Sequence, residues 1–233
     1  MLVHGAWHGG WCWREVVAGL TAAGRRVFAP SLTGLADRRH LLAADVSLAT
    51  HVQDIVGLIE VEDLERVVLV GHSYGGNVIT GVADRLRERL AHCVYLDAIV
   101  PPDGVAQWRW CDHNTPIDRE LRLHAIASAG GRVLPPPPAK AFGLFYRHQL
   151  DWVAARLTPM PAAAYTGAIT LKNGGSRGLA RTYIAAVDPV YAAMQPTHQR
   201  MRAEPGWRYQ EIATGHDAMI SAPQQLTEML LAV

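Results

Sequence analysis

The sequence predicts an α/β protein: a doubly wound, mostly parallel sheet with a helical cap insertion. Three observations predict it. Short apolar runs at 2–3, 26–29, 67–70, 93–96, 181–187 and 207–212 are rich in Val and Ile and show little polar alternation, the pattern of strands buried on both faces. Helical patterns at 11–23, 48–60, 75–89, 190–202 and 223–231 fall between them, and strand–helix alternation of this kind builds a doubly wound sheet. The stretch 101–173 breaks the rhythm.

The first run, Met1-Leu2-Val3, reads as the tail of a strand that lacks its opening residues. The last helix, 223–231, carries Pro223 in its first turn, with Ser221 and Gln224 spaced as a capping box. The core is expected to comprise 1–100 and 174–233, forming a single domain with the insertion 101–173. That insertion opens on Pro101-Pro102-Asp103-Gly104, carries four prolines at 135–138, and has helical patterns near 118–129 and 139–157 but no good buried strand. Its aromatics include Trp108, Trp110, Phe142, Phe145, Tyr146 and Trp152. They either pack the insertion itself or line a pocket over the sheet edge. Trp108, Phe142, Phe145 and Trp152, with Trp7 from the core, are the pocket candidates.

Bulk properties narrow the function classes. The chain has 233 residues, 49% hydrophobic and 18% charged, enough for a sizeable core and unlike a disordered chain. Its formal charge of +1, from 22 basic and 21 acidic residues, gives no basic excess for a nucleic-acid or membrane-surface partner. Three irregularly spaced cysteines, Cys12, Cys93 and Cys111, argue against a disulfide framework and a zinc site. Neither a signal peptide nor a membrane-spanning run is visible, so the expected compartment is the cytoplasm.

The strongest chemical signal is Gly71-His72-Ser73-Tyr74-Gly75-Gly76. It follows a strand and opens a helix, the context in which G-x-S-x-G presents a nucleophilic serine. A sharp strand-to-helix turn lifts Ser73 above the sheet, and side chains at 71 and 75 would collide. The second signal is His4-Gly5-Ala6-Trp7-His8-Gly9-Gly10, between the first strand and a helix. A loop there supplies half an oxyanion hole, making the backbone N–H groups of Ala6 and Tyr74 the expected donors. The third is Thr214-Gly215-His216-Asp217 after the last strand, where a general base completes the order serine, acid, histidine. Two aspartates can supply the acid. Asp188 follows the 181–187 strand, and Asp97 ends the preceding one in Val94-Tyr95-Leu96-Asp97. On position, Asp188 is placed ahead of Asp97.

These segments, with Thr33-Gly34-Leu35, Glu62-Asp63-Leu64 and the run from Val94 to Pro101, resemble the plant methyl esterase and hydroxynitrile lyase branch of the α/β-hydrolases, particularly its bacterial esterase members. The resemblance spans nearly the whole core and covers the insertion loosely. It implies an esterase-type triad of Ser73, His216 and an aspartate beneath a small helical cap. Hydroxynitrile lyases of the branch carry a threonine and a lysine where this chain has Gly5 and Asp217, so lyase activity is not expected. Haloalkane dehalogenases keep their acid at the position of Asp97, but their aspartate nucleophile is replaced here by Ser73.

The chemistry expected is hydrolysis of a small or medium-sized carboxylic ester through an acyl-enzyme, with no metal or organic cofactor. Lactonase, thioesterase or cyclase activity on the same triad, and a ligand receptor retaining the triad, are the alternatives.

Overall fold

A computed structural model describes residues 1–233. Strand β1 (Leu2–Val3) leads through a 3-10 turn into α1 (Arg14–Ala22), followed by α2 (Leu48–Val61), β2 (Val67–His72), α3 (Gly75–Arg85) and β3 (Leu90–Leu96). The segment 101–173 holds β4 (Gln107–Arg109), α4 (Pro116–Ser128), β5 (Val133–Leu134), α5 (Arg147–Ala154), β6 (Met160–Pro161), α6 (Ala162–Thr166) and β7 (Ala168–Thr170). The chain closes with β8 (Arg181–Ala186), α7 (Gln195–Ala203), β9 (Arg208–Ile212), α8 (Ala218–Ser221) and α9 (Pro223–Leu231).

The central sheet has five parallel strands in the order β1-β2-β3-β8-β9. Successive side chains of a strand point to opposite faces, and the core divides accordingly. Leu69, Tyr95 and Tyr183 join Val78 and Val82 of α3 on one face. Val70, Val94, Leu96, Ile184 and Ile212 join Trp13 and Leu226 on the other. With both faces covered, all six residues of β8 are buried. Each such Leu, Ile or Val contributes about 1.5–3 kcal/mol through removal from water. Parallel pairing also aligns the C-terminal ends of β2, β3, β8 and β9, so the loops beyond them meet at one edge of the sheet. No helix is long and apolar enough to cross a membrane.

Several elements depart from the sequence expectations. Residues 26–29 form no strand: β1 beside them is only two residues long, and the link is a single bond from Leu2 N–H to the Phe28 carbonyl (2.8 Å). The helix expected over 75–89 stops at Arg85, and a 3-10 turn covers Arg87–Arg89. The 190–202 helix begins at Gln195, where Pro196 fits the first turn because its missing N–H would have no helical partner. The capping box at Ser221 does not form. Ser221 instead ends α8, donates to the Asp217 carbonyl (3.1 Å) and pairs with the Thr214 hydroxyl (2.6 Å). Segment 101–173 does contain strands, in two short antiparallel pairs, β4–β7 and β5–β6, with Trp108 and Ile169 buried.

Candidate active site

Ser73 sits between β2 and α3 with φ of +53°, a conformation that a side-chain-bearing residue adopts only when its surroundings enforce it. The glycines around it provide that enforcement. A Cβ on Gly71 would lie 2.7 Å from the Gly75 carbonyl oxygen, one on Gly75 2.7 Å from the Val3 carbonyl oxygen, and one on Gly76 2.1 Å from that of Ile99. The turn is also tied to the end of β3: Ser73 N–H donates to the Leu96 carbonyl (3.2 Å), and Ile99 N–H to the Ser73 carbonyl (3.0 Å). Ser73 remains partly exposed at the top of the sheet.

His216 lies in the loop between β9 and α8. Its ring packs between those of His72 and Tyr191, with centroids 4.6 and 4.4 Å away. Its Nδ1 is 2.5 Å from Oδ2 of Asp97. Because a carboxylate only accepts, Nδ1 carries a proton, and in the neutral imidazole Nε2 is then left with a lone pair. Asp97 is fully buried just past β3, itself at φ +42°. Its other oxygen accepts from His198 Nε2 and from Ala186 N–H, the latter at 3.2 Å. Burial alone would raise the Asp97 pKa, but the bonds from His198 and His216 hold it down to about 2.

The geometry corrects the ranking of the two aspartates. Asp188 lies beyond the end of β8 and is exposed, and it is held through its backbone, its N–H donating to the Thr214 carbonyl (3.1 Å). Asp97 immediately follows β3, the strand directly beside β2, and its carboxylate meets the imidazole of His216.

The loop after β1 approaches Ser73 closely because Gly5 has no side chain: a Cβ there would be 2.8 Å from His72 Nδ1 and 3.0 Å from Ser73 Cβ. The N–H groups of Ala6 and Tyr74 make no hydrogen bond within the chain. Trp7, at φ +64°, is anchored from segment 101–173: its Nε1 donates to the Leu134 carbonyl (3.0 Å), and its carbonyl accepts from Thr158 N–H (3.0 Å).

Below this loop lies a second His–Asp pair. His8 Nε2 is 3.1 Å from Asp217 Oδ2, and His8 Nδ1 is 2.8 Å from the Ala6 carbonyl oxygen. Both residues are buried. Burial works against charge on each, but the mutual attraction prevails, raising the His8 pKa and lowering that of Asp217. His72 Nε2 donates to the His216 carbonyl (3.0 Å). Burial and the neighbouring His216 push the His72 pKa down to about 3, so it stays neutral.

One narrow pocket is lined by both Ser73 and His216. Of the aromatics singled out from sequence, Trp7 and Phe142 line it. Trp108 does not: it is buried, with Nε1 donating to Asn77 Oδ1 (2.7 Å). Phe145 is 72% exposed on the outside. Trp152 packs edge-on against Trp11 (4.9 Å), away from the pocket. Trp110, Arg122 and Tyr191 also line it. Trp110 was visible among the insertion aromatics, whereas Arg122 and Tyr191 carry no local motif.

The sequence matches the Alpha/beta hydrolase family over residues 1–229. The chain belongs to the α/β-hydrolase family. This α/β-hydrolase is 40% identical over 238 residues to a carbendazim hydrolyzing esterase of Nocardioides sp. (strain SG-4G), covering 100% of this chain and 98% of that protein. It is 34% identical over 259 residues to methylesterase 2 of Arabidopsis thaliana, with coverage of 100% and 94%. Among solved structures, an extracellular α/β-hydrolase from a Paenibacillus species superposes with a TM-score of 0.83 at 21% identity, covering 99% of this chain and 96% of that one, which shows the shared fold. The chain is thus an esterase-type α/β-hydrolase.

Proposed function

We propose that this α/β-hydrolase cleaves a small or medium-sized carboxylic ester through an acyl-enzyme on Ser73. The observation that carries the reading is the 2.5 Å contact between His216 Nδ1 and Asp97, which leaves Nε2 as a base in the pocket that Ser73 lines. Nε2 takes the hydroxyl proton as Oγ attacks the ester carbonyl. The free N–H groups of Ala6 and Tyr74 then hold the oxyanion, a contribution of about 3–4 kcal/mol per donor. His216 returns the proton to the departing alcohol. Water next attacks the acyl-enzyme with His216 again as base, releasing the acid and restoring Ser73. Asp97, not Asp188, is the acid that fixes the tautomer and stabilises the imidazolium. Residues 101–173 act as the cap that shapes the acyl pocket. All three cysteines are buried free thiols, which supports the cytoplasmic location expected from the sequence.

Ser73→Ala tests the covalent step. It is expected to reduce hydrolysis of nitrophenyl acetate at least about 10⁴-fold while the circular dichroism spectrum is unchanged. A fluorophosphonate probe should label native protein at Ser73. Failure to label a folded, native sample would favour a ligand receptor built on the same fold.

A further inference from the structure

We infer that Arg122 is a specificity-determining residue that receives a carboxylate carried by the substrate, making the preferred substrate an aromatic ester with a second, anionic group. This rests on the esterase reading above and names the substrate class of that same pocket.

Arg122 projects from α4 into the pocket that holds Ser73 and His216. Its guanidinium carbon lies 5.1 Å from the ring centroid of Trp110, 5.8 Å from that of Tyr165 and 5.9 Å from that of Trp7. Three aromatic rings therefore hold the cation through their negative faces. Nη1 is buried without a partner, and no carboxylate lies within ion-pair distance of the side chain, unlike Arg109, Arg119 and Arg181, each of which contacts an aspartate. A guanidinium always stays charged and offers paired donors matched to a carboxylate. Burying one of its donors with neither acceptor nor counter-charge costs free energy that an apolar residue would avoid. A ligand carboxylate satisfies both needs. The rings of Trp7, Trp110, Phe142 and Tyr191 in the wall favour a planar, aromatic group between that carboxylate and the ester.

The test compares monomethyl isophthalate, methyl 3-nitrobenzoate and methyl benzoate, with each kcat/KM divided by the ester's alkaline hydrolysis rate. The wild-type protein is expected to favour the isophthalate ester over both neutral esters by about tenfold or more, mainly through KM. Arg122→Met should erase that preference, bringing the normalised kcat/KM of the isophthalate ester to within about threefold of that of the nitro ester, and Arg122→Lys should restore part of it. Equal handling of the charged and nitro esters, or a preference that survives in Arg122→Met, overturns the inference. If no ester is turned over, titration calorimetry of monomethyl isophthalate into Ser73→Ala and Ser73→Ala/Arg122→Met proteins decides it. Binding that disappears with Arg122 upholds the carboxylate site even as the hydrolytic reading fails, and binding that is absent or independent of Arg122 ends it.

Discussion

His8 and Asp217 form a buried ion pair, 3.1 Å apart, that joins the loop after β1 to the loop bearing His216. The other nitrogen of His8 lies 2.8 Å from the Ala6 carbonyl, so the pair connects the proposed oxyanion donor with the residue next to the proposed base. Removing one partner leaves an uncompensated buried charge, which costs about 3–5 kcal/mol. Asp217→Asn is therefore expected to lower Tm by roughly 10 °C. His8→Gln/Asp217→Asn should recover part of that loss, as thermal unfolding of the single and double variants would reveal.

The same pair makes stability depend on pH in a defined direction. The His8 pKa is raised on folding, so its contribution is complete below its ordinary value of 6.5 and is lost as pH rises through the folded value. Asp217 is lowered, so its contribution holds above 3.8 and is lost as pH falls through the folded value. The pair should stabilise most between these limits. Wild type and His8→Gln should differ most in Tm near pH 5 and progressively less in alkaline buffer. A constant difference across pH would contradict the assignment.

Asp97 provides a separate acid-side effect. Its pKa is held down to about 2 against an ordinary 3.8, so its stabilisation is present above 3.8 and disappears as pH falls toward 2. Asp97→Asn is expected to reduce kcat by about 10⁴-fold through the wrong imidazole tautomer. Asp188→Asn, at an exposed position, should stay within about twofold of wild type. Steady-state kinetics on one nitrophenyl ester separates the two.

His198 shares the Asp97 carboxylate with His216, which makes it the expected positioning residue for the proposed triad. His198→Gln is expected to lower kcat about tenfold with KM nearly unchanged, the loss of one hydrogen bond to a charged group. A change confined to KM would place its influence elsewhere.

The elbow glycines differ in kind from glycines elsewhere. Gly76→Ala drives a methyl to 2.1 Å from backbone oxygen and should destabilise by more than about 3 kcal/mol. Gly104→Ala meets nothing within 4 Å and is burdened only by its φ of +82°, so about 1 kcal/mol is expected. Chemical denaturation of the two variants measures the contrast.

The parallel sheet was legible because strands buried on both faces read as continuous apolar runs, and the elbow because steric crowding leaves glycine few substitutes. Which aspartate meets His216 was not legible. Asp97 and Asp188 both follow strands, and only the lateral order β2-β3-β8 determines which carboxylate meets the imidazole. The pocket wall was half legible. Trp7 and Phe142 could be named as aromatics near the site, but Arg122 is one cation among 22 until α4 is placed over the sheet. The 26–29 run shows the opposite limit, since strand-like composition yields no ladder where the neighbouring strand is too short to pair with it.

The Phe142 carbonyl accepts a bond from Asp217 N–H (3.2 Å), and Gly143 and Gly215 touch so closely that neither tolerates a methyl group. The proposed cap and the loop bearing the proposed base therefore share a backbone seam. An engineer who swaps the whole of 101–173 for a foreign lid to change selectivity will also displace the imidazole, whereas resculpting individual side chains on α4 leaves that seam intact.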